Sequence, residues 1–433
     1  MNIGTMKRIP YLILVLMFFT ALFTSCGEDR THEYYELTEE NQWTFSKMKD
    51  VYLWRDNIKT PSRSTFFSKP SKFFSSILYN GDQVSYFTDT VSAGDYGMTF
   101  AVMRDPLGER PSKVYALVLM VEPDSPADIA GVERGIWISS VGGTTFTTNK
   151  FSMLQSGGNT ELVTELIEYD DDENKYYWTP GDTLQITQSV DYTEQSIYLD
   201  SIYTISSKNI GYIVINNFNG EYFVNDTQDR LLRFTANNVS DVVIDLRYCT
   251  GGSVANAVSL ASSFVAPELY GTTFCNLVDA AGETDTTYCY TQQLTSLFEK
   301  QLYIITGEQT SGAAELFISA LENSCLYNDL ITLGVRTANV NTMTTCFKSP
   351  FGFEINPATN YVALANGELL TGITPTASVN ELQQITDIQQ LGSSREYLLY
   401  NIFLLADNGA ISTDAISAQK TVFRRNNKPI IKK

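Results

Sequence analysis

Apolar residues recur at spacings of three and four from Trp43 to about Tyr86, through Phe45, Met48, Val51, Tyr52 and Trp54, then Phe66, Phe67, Phe73, Phe74, Ile77 and Leu78. That period predicts a small, aromatic-rich helical unit, broken at Pro61 and Pro70. From about Gly94 to Ser201 the alternation shortens and predicts a β-rich unit. Its acidic run, residues 168–173, lacks the central Gly of a calcium loop and reads as a solvated hairpin turn. From about Lys208 apolar strands alternate with helical stretches, the pattern of α/β packing. Residues 210–215 and 241–245 are strands, and 228–237 and 254–264 are helices. Residues 303–321 read as a strand, a polar turn and an amphipathic helix. A strand near 330–333 and a helical stretch over 387–405 follow, then a polar, basic tail expected on the surface.

The first residues have a different pattern. Lys7 and Arg8 precede an apolar run, 11–23, too short to span a bilayer. It ends Phe23–Thr24–Ser25–Cys26, which resembles a bacterial lipobox. The resemblance implies cleavage before Cys26, a lipid on its thiol, and an exported protein anchored to a membrane. Gly27–Glu28–Asp29 resembles the surface-export signal of Bacteroidetes lipoproteins, so the expected location is periplasmic or on the outer-membrane surface. Export permits disulfides, and spacing suggests Cys275 with Cys289 and Cys325 with Cys346, leaving Cys249 over.

Charge and histidine content narrow the chemistry. A net charge of −19, from 49 acids against 30 bases, argues against nucleic acid as a partner. The one histidine is His32, near the N-terminus. Ser–His–Asp and Cys–His centres and His-rich zinc sites each need histidine in a folded pocket, so they are set aside. No metal or cofactor is expected, and hydrolytic chemistry would need Lys or a carboxylate as base.

Within the β-rich unit, Tyr96–Gly97–Met98–Thr99 forms a glycine turn. Ser125–Pro126, Ala130–Gly131, Gly135 and Gly142–Gly143 follow at fixed spacing, and together they resemble a PDZ domain. Ile136 stands for the usual Asp and Gly142 for the usual Asn. The resemblance implies an extended peptide or protein C-terminus added as a strand, with Tyr96, Gly97, Met98 and Thr99 around its carboxylate.

A wider resemblance covers roughly residues 43–405. The helical unit with Trp54 and Ser85, the PDZ-like unit, the strand end from Asp245 through Arg247 to Gly251–Gly252, the turn from Thr310 to Glu315, the loop from Gly334 to Val340, and Gly372 to Pro375 occur in this order. They resemble the C-terminal processing, or tail-specific, serine peptidases. The implied fold is multidomain α/β: an N-terminal helical segment, a PDZ-like β-rich domain and a crotonase- or Clp-protease-like α/β core. The expected division is 1–26 lipoprotein signal peptide, 27–92 tether and helical subdomain, 93–205 PDZ-like domain, 206–408 peptidase-like core and 409–433 polar tail.

That family works through a serine–lysine dyad. Its serine stands three residues before the Glu of the turn, and its lysine closes the glycine loop; here those positions hold Gly312 and Val340. Ala314, Cys249 and Thr376 also replace family residues. The oxyanion donors implied are backbone N–H groups at Gly251, Gly252 and Ala313, which survive side-chain change. Ser311 sits one residue early and Lys348 lies eight past Val340, leaving them as the candidate displaced pair. Their simpler roles are a helix N-cap for Ser311 and a solvated charge for Lys348. Two readings follow: a degenerate peptidase that binds extended peptides or C-termini without efficient cleavage, or an active serine endopeptidase using Ser311 with a relocated lysine.

Overall fold

The computed structural model describes residues 31–89, 95–155, 158–187, 192–324, 330–411, 420–423 and 430–432. The export segment with Cys26 lies outside them, as does Cys325. Helix α1 (Thr31–Val51) starts inside the stretch expected as a tether. Met48 and Tyr52 are buried beside α2 (Pro70–Ile77), whose Phe73, Phe74 and Ile77 share one face. Pro70 opens α2, where its missing N–H breaks no helical hydrogen bond. Among the described residues no helix is long and apolar enough to cross a membrane.

Strand β1 (Tyr86–Asp89) leads into the PDZ-like unit. There β2 (Met98–Arg104), β3 (Val114–Val121), β4 (Trp137–Val141), β5 (Thr144–Thr145), β6 (Thr160–Asp170) and β7 (Lys175–Ile186) form antiparallel pairs in the order β2-β3-β4-β6-β7, with β5 on β4. After β3, Ser125 caps the one-turn helix α3 (Pro126–Ile129), accepting the Asp128 N–H at 3.3 Å, and Gly131 at φ +81° follows the cap. The β6–β7 hairpin turns within the acidic run, as expected. On the face toward the core, Tyr115 stacks on Trp178 at 4.5 Å and Trp137 meets Trp178 edge-on at 5.4 Å.

The core carries β8 (Ile197–Ile205), β9 (Lys208–Ile215), α4 (Phe223–Ala236), β10 (Asp241–Asp245), β11 (Gly251–Ser253), α5 (Val254–Ser262), β12 (Thr273–Val278), β13 (Thr284–Cys289), β14 (Gln301–Thr306), α6 (Ala313–Asn323) and β15 (Leu330–Gly334). Then come β16 (Thr342–Thr344), β17 (Phe347–Lys348), β18 (Phe353–Asn356), β19 (Ala358–Leu364), β20 (Ala377–Ser378) and α7 (Tyr397–Asn408). The central sheet runs β20-β15-β14-β10-β9-β8 and is parallel except at β8. Because β8 pairs with β9, it belongs to the core, although the expected PDZ-like span ran to 205. Alternate residues of the sheet face two cores. Val242, Ile244, Leu302 and Ile304 pack with α4, α5 and α6, while Val243, Tyr303 and Ile305 pack with α7. The final helix starts at Tyr397, ten residues later than expected, because the Glu396 carboxylate caps it through the Leu399 N–H at 3.0 Å.

Two short strands follow. β21 (Lys420–Phe423) pairs antiparallel with β2, and β22 (Ile430–Lys432) pairs parallel with β11 and touches β16. Within the tail expected as a surface appendage, residues 420–423 and 430–432 are therefore part of two sheets. A second core sheet runs β11-β22-β16-β19-β12-β13, and a third is β1-β18-β17.

The expected Cys275–Cys289 bridge is absent. The two thiols sit on adjacent strands out of register, with Cys275 opposite Tyr288 and Cys289 opposite Thr273. Burial, then neighbouring Cys289, pushes the Cys275 thiol up to about 12. Cys346 donates to Glu354 Oε2 at 3.3 Å, while its expected partner lies outside the described residues. Cys249 is a buried thiol.

Candidate active site

The site forms where β10 and β14 end side by side. Thr310 Oγ1 donates to the Leu246 carbonyl at 2.7 Å and accepts the Gly307 N–H at 2.8 Å. The Ser311 N–H donates to the Cys249 carbonyl at 3.0 Å. These bonds fasten the turn before α6 to the end of β10. Gly307 must be glycine, since a Cβ there would lie 2.2 Å from the Arg247 carbonyl oxygen. Gly312 caps α6 with φ +60° and ψ −118°. A side chain at this sharp strand-to-helix turn would be strained, and glycine relieves the strain. Ala313, the first helical residue, has no intrahelical acceptor for its N–H.

Gly251 and Gly252, at φ +98° and +140°, form β11 beside α6. A Cβ on Gly252 would lie 2.7 Å from the Phe218 backbone. The Phe218 N–H donates to Gly251 O at 2.8 Å and its carbonyl accepts from Ser253 at 3.1 Å. The structure therefore brings Gly251, Gly252, Gly312 and Ala313 to one region, around the helix start.

Glu315 ties this region to the loop beyond β15. Its Oε2 accepts N–H groups of Val340 at 2.8 Å and Gly312 at 3.0 Å, and its Oε1 accepts the Thr337 hydroxyl at 2.5 Å and the Asn339 N–H at 2.6 Å. Burial pushes this carboxyl above the usual range, while the four donors pull it down without cancelling the effect. Val340 is buried, with its side chain in the core. A residue at 340 therefore points into apolar surroundings.

Ser311 and Lys348 are not brought together. Ser311 is 1% exposed and its Oγ has no hydrogen-bond partner among the described residues. Nor does Ser311 cap the helix, because Gly312 holds that position. Lys348 sits on β17 with its side chain 84% exposed, 3.7 Å from Glu354.

The loop expected to hold a peptide carboxylate is tightly packed. Tyr96, Met98 and Thr99 are buried, and the Tyr96 carbonyl accepts the Ala127 N–H at 2.9 Å. Gly97, at φ +73°, lies so close to Ser125 that a Cβ would be 2.2 Å from that residue's Cβ. Its N–H donates to Asp95 Oδ1 at 2.8 Å, and the same oxygen accepts the Tyr192 hydroxyl. A carboxylate of the chain itself thus takes the loop's glycine N–H.

One cluster had no sequence signal. Arg134 of the PDZ-like unit enters the core, donating to the Tyr248 hydroxyl at 2.8 Å and pairing with Glu381 at 3.3 Å and Glu396 at 3.4 Å. Arg247 pairs with Asp245 and Glu396, each at 2.7 Å at the nearest. Burial alone would raise the Glu396 carboxyl, but Arg247 and then Arg134 override it and hold it at about 2. An arginine in an ordinary turn before Gly135 gives no hint of such a partner, since the acids come from more than 240 residues away.

The model of peptidase family S41 matches residues 209–379 and that of the peptidase S41 N-terminal domain matches residues 39–86. These spans of 171 and 48 residues cover 219 of 433. No curated protein matches the sequence. Among solved structures, an S41 protease of Bacteroides fragilis superposes with a TM-score of 0.71 at 23% identity, covering 85% of this chain and 97% of that one. The photosystem II D1 C-terminal processing protease superposes with a TM-score of 0.51 at 15% identity, covering 84% and 97%. At these identities the likeness is one of fold. With the helical unit, the PDZ-like unit and the core in family order, the chain belongs to peptidase family S41, the tail-specific serine peptidases.

Proposed function

We propose that this S41 protein binds extended peptides or protein C-termini without efficient cleavage. The observation that carries the reading is the elbow at Gly312, which keeps its backbone turn while lacking a nucleophile, with apolar Val340 where the base would stand. Loss of a catalytic serine or its base typically costs on the order of 10⁶ in rate. The displaced pair gains no support, since Ser311 is buried and Lys348 points to solvent. Peptide-binding surfaces do not depend on those side chains, because strand addition uses backbone groups.

The test incubates purified full-length protein with quenched-fluorescent casein, beside a Ser311→Ala control. The expected result is no turnover in either, with anisotropy showing that casein peptides bind. Turnover that disappears in Ser311→Ala would overturn the reading in favour of an active endopeptidase.

The apolar run ending at Cys26 supports a lipid anchor and a place at the envelope, periplasmic or outer-membrane. Cys26→Ala should move the protein from the membrane fraction to the soluble one, and unchanged membrane retention would count against the anchor.

A further inference from the structure

We propose that β21 and β22, residues 420–423 and 430–432, are the chain's own ligand, filling in cis both the outer edge of β2 and the gap between β11 and β16. The inference rests on the reading of these edges as peptide-accepting.

β2 starts within the Tyr96–Thr99 loop and pairs with β3 on one side. Its other edge is the one an added strand would use, and β21 takes it, with Phe100 opposite Phe423, Ala101 opposite Val422, Val102 opposite Thr421 and Met103 opposite Lys420. The second contact lies at the oxyanion turn. Gly251 is opposite Ile430, Gly252 opposite Ile431 and Ser253 opposite Lys432, while Thr344 of β16 also pairs with Lys432. β22 is thus the strand between β11 and β16. One segment supplies the added strand at both places where this fold would take an extended peptide.

Its composition suits the role. Thr421, Val422, Phe423, Ile430 and Ile431 are strand formers. Residues 420–433 hold six Lys and Arg and no acid, so of the net −19 the rest of the chain carries −25. A +6 tail is drawn to such a body, less so at high salt. Being tethered, it competes at an effective concentration on the order of millimolar.

The test uses full-length wild-type protein and full-length V422P/I431P, whose prolines remove ladder N–H groups from both strands. Circular dichroism checks that both are folded, and hydrogen exchange at residues 100–103 reports the β2 edge directly in the wild type. The probes are a fluorescein-labelled peptide of sequence 420–432 and an unrelated labelled casein peptide. The expected result is slow exchange at 100–103 in the wild type, faster in the variant, with the 420–432 peptide binding the variant at least tenfold more tightly. If both proteins bind the casein peptide equally and the variant gains nothing for the 420–432 peptide, the inference fails while peptide binding stands. If neither protein binds either peptide, both readings fail. A wild-type dimer on gel filtration that is lost in the variant would assign the occupant to a second copy and overturn the cis arrangement.

Discussion

The Val340 N–H donates to Glu315 Oε2 at 2.8 Å, so the position that would carry the catalytic base is fixed by a glutamate of the helix that would carry the nucleophile. The bond is to backbone and is indifferent to the side chain at 340. Glu315→Gln should therefore damage the site's frame. An amide nitrogen would face two donors, leaving buried groups unpaired at about 1–3 kcal/mol each. We expect a loss of roughly 3 kcal/mol in urea denaturation; a change within experimental error would contradict the role given to Glu315.

The frame should accept the missing groups. Gly312→Ser places a side chain at φ +60° and should cost about 1–2 kcal/mol. Val340→Lys puts an amine in an apolar pocket, which lowers a lysine pKa. Neither single variant should cleave casein, whereas G312S/V340K should gain turnover. A double variant that folds but remains inert would show that the site has lost more than its dyad.

Ser311 offers a contrast. Its buried hydroxyl has no partner among the described residues, so Ser311→Ala removes a group unsatisfied there. Stability should stay level or rise by up to about 1 kcal/mol. A large loss on thermal melting would reveal a role for the hydroxyl that the structure does not show.

Arg134 joins the PDZ-like unit to the core through buried charges. Arg134→Met leaves Glu381 and Glu396 short of a partner and should cost about 3–5 kcal/mol. Calorimetry should then show the PDZ-like unit melting ahead of the core. A single unchanged transition would refute the coupling.

Acid should weaken the same cluster. The Glu396 carboxyl is held at about 2 in the folded protein, against about 4.3 unfolded. A depressed carboxyl contributes stability above the unfolded value that is lost as pH falls through the folded one. The urea midpoint should therefore drop between about pH 4.3 and 2, with roughly 3 kcal/mol at stake. Glu396→Gln should flatten that slope; an equally steep variant would place the acid sensitivity elsewhere.

Much of this was legible because it follows local rules. The Ser125–Pro126 cap, the hairpin over the acidic run, the strand at 241–245 and the turn before α6 all lie where spacing and turn residues placed them. Counting along the motif frame singles out Gly312 and Val340, and the structure holds both on Glu315 through their backbone N–H groups. What stayed hidden depends on contacts between distant parts of the chain. β8 joins the core through a register with β9, and α1 extends into a polar stretch. Arg134 finds its acids only after folding, and the tail pairs as strands at edges that no short window of sequence reveals.

The aromatic packing has an optical consequence. The four tryptophans are Trp43, Trp54, Trp137 and Trp178, so none lies in the final 255 residues. Tryptophan emission thus has no source within the peptidase-like core and speaks only for the units on either side of its surface. Trp137 and Trp178 report the face that the PDZ-like unit turns to the core, and Trp54, whose Nε1 donates to Tyr361 at 2.9 Å, reports the docking of the helical unit. Tryptophan emission from this protein is a gauge of how its modules sit together, with the core as a dark background.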